Sequence, residues 1–144
     1  MSNMITQQVT KFIEENQKFY PKADPNLLRF IAEIITHNGC ANEKTEDIHS
    51  LFAAGYCYYF ALMLQDAFPG GTICWAAPFG HIVYQYENIN YDVDGVYSGE
   101  ATSFIPISRL GSAIDDFRHI PGKTYNATEQ ELAQIQLDWE SEKE

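Results

Sequence analysis

The chain has 144 residues, enough for one domain with its own core and too few for several. Hydrophobic residues make up 45% and aromatics 14%, which argues against long disordered stretches. A formal charge of −11 repels phosphate backbones and anionic lipid heads, so neither nucleic acid nor a membrane surface is expected as a partner.

Ile5, Val9, Phe12, Ile13 and Phe19 recur near helical spacing, with Lys11, Glu14, Glu15 and Lys18 between them, which predicts an amphipathic helix over 5–19. Tyr20-Pro21-Lys22-Ala23 breaks it. Asp24 is placed to cap a second helix and Pro25 to open it, with Leu27, Leu28, Phe30, Ile31, Ile34 and Ile35 as the buried stripe. Asn38-Gly39 is a candidate end for that helix. Residues 41–54 read as a short helix or an ordered loop. From Tyr56 to Phe68 almost every side chain is apolar, which predicts a helix buried on most faces, opened by the Gly55 turn and stopped by Pro69-Gly70-Gly71.

The period then changes to that of strands. Thr72 to Ala77 is short and apolar, and Pro78-Phe79-Gly80 turns the chain. His81 to Tyr86 and Ile89 to Val93 read as a hairpin turning at Glu87-Asn88, with a further strand near Ala101–Ile105. Pro106 to Phe117 reads as a helix. Thr128-Glu129-Gln130-Glu131 is a capping box for a last helix through Leu132, Ile135 and Trp139. The order predicts an α+β fold in one domain, 1–144: a helical part over 1–54, a core of helix and β-meander over 55–105, and a helical part over 106–144.

Cys40, Cys57 and Cys74 are an odd set, unlike a secreted disulfide framework. With no signal-like start and no membrane-length apolar run, the expected compartment is the cytoplasm. A thiol attacks as the thiolate, which a helix N-terminus and a neighbouring histidinium favour. Cys57 is the one cysteine placed to benefit. Cys40 follows the expected end of a helix, and Cys74 lies in an apolar strand.

His81 shares a strand face with Val83 and Gln85. A turn at Glu87-Asn88 pairs 81 with 94 and 83 with 92. Asp92 and Asp94 then both lie on the His81 face, and parity does not choose between them. Cys57, His81 and one of these aspartates make a nucleophile, a base and an orienting carboxylate. No paired spacing of metal ligands and no phosphate-binding loop appears, so no metal or cofactor is expected.

Gly-x-Cys opening a buried helix, Gly-His-Ile-Val on a strand, and Tyr-Asp ahead of a glycine on the next resemble the core of the papain-like cysteine peptidase superfamily. The cell-wall amidopeptidase and transglutaminase-like branches are nearest. The resemblance spans Gly55 to Gly95. It implies a papain-like core, with a central buried helix on a small antiparallel sheet and extra helices at both ends. It also implies Cys57 as nucleophile, His81 as general base and Asp92 as orienting residue. The superfamily's oxyanion glutamine has no counterpart near Leu51 and Phe52. That leaves the Cys57 N–H and a donor among His49, Ser50 and Tyr56. The expected function is a thiol hydrolase or acyltransferase on an amide or peptide substrate. The alternative is an inactive, acidic, immunity-type protein binding a basic protein partner.

Overall fold

The computed structural model describes residues 2–42, 57–114, 117 and 129–143. The described elements are α1 (Ser2–Phe19), α2 (Pro25–Asn42), α3 (Cys57–Ala67), β1 (Thr72–Ala77), β2 (Ile82–Tyr86), β3 (Ile89–Asp92), β4 (Gly95–Val96), β5 (Ser103–Pro106), two 3-10 turns (Ile107–Arg109 and Gly111–Ile114) and α4 (Glu129–Lys143). This is the expected α+β class, with α3 buried against an antiparallel sheet. None of the helices among the described residues is long and apolar enough to cross a membrane.

The strands lie in the order β4-β3-β2-β1-β5, all antiparallel. In chain order the first three form the expected meander, and β4, a strand the sequence did not reveal, extends it. β5 then crosses to the far edge and pairs with β1, Trp75 opposite Ile105. The β2–β3 register sets Tyr84 opposite Tyr91 and Tyr86 opposite Ile89, as a turn at Glu87-Asn88 requires. Glu87 and Asn88 both have positive φ, 50° and 69°, the pair of conformations that a two-residue hairpin of right-handed twist needs.

One face of the sheet carries Ile73, Trp75, Ile82, Tyr84, Tyr91 and Ile105 into the main core, against Leu27, Leu28 and Ile31 of α2 and Phe60 and Leu64 of α3. Each large apolar side chain buried there contributes roughly 1.5–3 kcal/mol. Val83, Cys74 and Ala76 point to the other face, where Tyr97, Ala101 and Phe104 pack on them.

Polar anchors fix the helices to the sheet. Asp24 caps α2, its Oδ1 accepting the Asn26 and Leu27 N–H groups at 2.8 and 3.1 Å. The Asp24 N–H donates to the buried Tyr91 hydroxyl at 2.8 Å. The Tyr84 hydroxyl donates to the Phe68 carbonyl and accepts the Gly71 N–H at 2.9 Å, fixing the turn from α3 into β1. On the α1 side, Asn16 Oδ1 accepts the Val96 N–H at 2.9 Å, tying α1 to β4.

Two expectations change. α2 runs through Asn38-Gly39 to Asn42, which puts Cys40 within the helix rather than after it. A helix tolerates one glycine at a cost of about 1 kcal/mol. Between Pro106 and Ile114 there is no α-helix. Pro106 belongs to β5, and the chain continues in two 3-10 turns around Gly111, whose φ of 55° no right-handed helix holds. The expectations for 43–54, for Gly55 and for Thr128 lie outside the described residues.

Candidate active site

α3 runs alongside β2, so that Cys57, its first residue, stands where β2 begins. Antiparallel pairing brings the end of β3 to the same place, and with it Asp92. The backbone N–H of Ile82 donates to the Cys57 Sγ at 3.3 Å. Such a contact strengthens when sulfur carries negative charge. His81, at the lip of the sheet just ahead of β2, bonds to Asp92, Nε2 to Oδ2, at 2.9 Å. Cys57 lies near enough to the same ring to favour its charged form. With Nε2 given to Asp92, Nδ1 is the nitrogen left for sulfur.

The three predicted residues therefore meet. Cys57 comes from the helix-covered face and Asp92 from the opposite face, and His81 joins them over the end of the sheet. Asp94, the other candidate, is exposed. Its N–H donates to Asp92 Oδ1 at 2.9 Å, a tight turn that leaves Oδ2 for the imidazole.

Burial disfavours charge on His81. The hydrogen bond the ring donates to Asp92, its interaction with Cys57 and the charges of both outweigh it and raise the ring to about 9. The imidazole is then protonated at neutral pH. Cys57 and Asp92 are buried, 6% and 8% exposed, and His81 is half-buried, so the trio opens to solvent at the imidazole.

Tyr97 was not anticipated. Its ring stacks on His81 with centroids 5.7 Å apart and planes 29° apart. The signal was available. A two-residue turn at Val93-Asp94 sets Tyr91 opposite Val96, which places 97 beside 90 on the face of Asp92. The strand that carries this pairing, β4, is only two residues long and leaves no alternation to detect.

The oxyanion donors expected at His49, Ser50 and Tyr56 lie outside the described residues. Among the described residues, no cluster of three or more His, Cys, Asp and Glu side chains is arranged to hold a metal ion.

The family model described as Phage YunG-like protein matches residues 27–127, more than half of the chain. No curated protein and no solved structure matches. The resemblance to the papain-like cysteine peptidase superfamily is thereby corrected, since the matching family is not one of its peptidase families. The resemblance rested on short motifs around three residues, and such a trio recurs on unrelated frames.

Proposed function

The chain belongs to the Phage YunG-like protein family, and we propose that this member is a thiol-dependent hydrolase or acyltransferase acting on an amide bond. One observation carries the reading: His81 is bonded through Nε2 to the Asp92 carboxylate at 2.9 Å beside the Cys57 thiol, and both neighbours favour its protonated form.

In this mechanism the thiolate of Cys57 attacks the carbonyl carbon, forming a C–S bond while the carbonyl electron pair moves onto oxygen. When that pair returns, the C–N bond breaks and the proton on His81 Nδ1 passes to the leaving nitrogen. The neutral ring then takes a proton from water, or from an acceptor amine or alcohol, as that nucleophile attacks the thioester. Release of the acid or new acyl product restores thiolate and imidazolium. Asp92 keeps the ring oriented and its charge balanced throughout.

The test is alkylation by iodoacetamide at about pH 6, where an unassisted thiol is almost wholly protonated. Cys57 is expected to label ahead of Cys40 and Cys74. His81→Ala is expected to slow it, because a neighbouring imidazolium favours the attacking thiolate. Preferred labelling of Cys40 or Cys74 would end the proposal.

The 6% exposure of Cys57 favours a second reading, in which the trio only braces α3 against the sheet and the acidic surface binds a basic protein. A complex that survives Cys57→Ala and dissociates in salt would support it.

A further inference from the structure

We propose that Tyr97 is the positioning residue of this site: its ring backs the His81 imidazole and keeps it turned between Asp92 and Cys57. The bond from Nε2 to Asp92 and the neighbouring Cys57 thiol act along the edge of the ring and leave it room to tilt, because the second torsion of histidine has a broad minimum. A wall on one face removes that freedom, and Tyr97 supplies it. The face of an aromatic ring carries negative charge density and favours a cation lying over it.

Tyr97 is itself held on several sides. Its N–H donates to the Asn90 carbonyl at 2.8 Å, and its hydroxyl accepts the Ala101 N–H at 3.2 Å. Its ring meets Phe104 edge-on, with centroids 5.7 Å apart. Gly99 completes the bed, since a Cβ there would collide with the Tyr97 ring and hydroxyl. Among the described residues, the groups facing His81 are thus Asp92 from β3, Cys57 from α3 and Tyr97 after β4.

The meaning of this role rests on the thiol-hydrolase reading, but its first readout does not. NMR titration of the His81 ring is run on the native chain, Tyr97→Leu and Tyr97→Phe, with iodoacetamide labelling of Cys57 in parallel. Tyr97→Leu is expected to lower the His81 midpoint by about half a unit and to slow labelling severalfold. Tyr97→Phe, which keeps the ring and loses the hydroxyl, is expected to hold both near native values. Gly99→Ala displaces the Tyr97 ring without replacing it, and is expected to lower the midpoint even if Tyr97→Leu fails to fold.

A native midpoint in Tyr97→Leu or, if that chain does not fold, in Gly99→Ala overturns the proposal. So does a Tyr97→Phe chain shifted as far as the leucine variant, since the hydroxyl and its loop would then be responsible. A lowered midpoint in Tyr97→Leu, in a protein whose Cys57 labels no faster than Cys74, sustains the positioning role and removes the hydrolase reading.

Discussion

His81 and Asp92 meet on the diagonal of the β2–β3 hairpin, Nε2 to Oδ2 at 2.9 Å, although the register carried along the strands sets Val83 opposite Asp92. Diagonal neighbours stand farther apart than facing ones, so a long side chain must span the gap, and the imidazole does so. The Asp94 N–H on Oδ1 turns the carboxylate toward the ring.

Asp92→Asn is therefore expected to lower the His81 midpoint by about 1–3 units, the usual effect of losing an adjacent opposite charge. Asp94→Asn keeps the backbone N–H that holds Asp92 and is expected to leave the midpoint nearly in place. NMR titration of both variants checks the assignment. An equal shift in the two would remove Asp92 from its special place.

The raised affinity of His81 for its proton links stability to pH. Its midpoint is about 9 in the fold against 6.5 for an ordinary histidine. Between those values the folded chain keeps a proton that the unfolded chain has lost. The contribution is fully present below about pH 6.5 and disappears as pH rises through about 9. It is on the order of 3 kcal/mol. Urea denaturation across that window is expected to show the decline in the native chain and a flatter profile in His81→Gln. Parallel profiles in the two would show that the ring is not the source.

Gly95 has a φ of 97° and turns β3 into β4 directly under Asn16, whose side chain a Cβ would strike. Gly95→Ala is expected to destabilise by about 2 kcal/mol or more, combining the left-handed backbone with a displaced Asn16 side chain. Asn16→Ala, which removes the acceptor for the Val96 N–H, is expected to cost about 1–3 kcal/mol. Because the two changes break the same contact, the double variant should lose less than their sum. Denaturant midpoints measure all three.

Tyr84→Phe removes one hydroxyl that serves two backbone groups, the Phe68 carbonyl and the Gly71 N–H. The expected loss is about 1–3 kcal/mol for each group left without a partner. Hydrogen exchange should localise it to the turn between α3 and β1. Unchanged exchange at Gly71 would contradict that placement.

Much of this was legible in the chain. Asp24-Pro25 announces a capped helix, and Glu87-Asn88 sets the hairpin register that puts His81 and two aspartates on one face. Periodicity reports the face of a residue but not its neighbour on the diagonal, so Asp92 and Asp94 stayed level until the geometry separated them. Short segments carry little periodicity. β4 passed unseen, and the stretch after Pro106 looked helical because its apolar spacing hides the reversal at Gly111. The return of β5 to the β1 edge is a long-range pairing with no local mark. The family was a further misreading, because a few residues around a thiol say more about chemistry than about descent.

At the lip of the sheet an imidazole stands beside a thiol from the helix and is bonded to a carboxylate from the next strand. A chain in which α3 has not yet seated on β2 has a sulfur on one side and a carboxylate on the other, with nothing spanning them. Enhanced reactivity of Cys57 at mildly acidic pH should thus appear only with the closing step of folding and fall to that of an ordinary thiol at the first slip of that helix. The thiol becomes a reporter of whether the layers have locked.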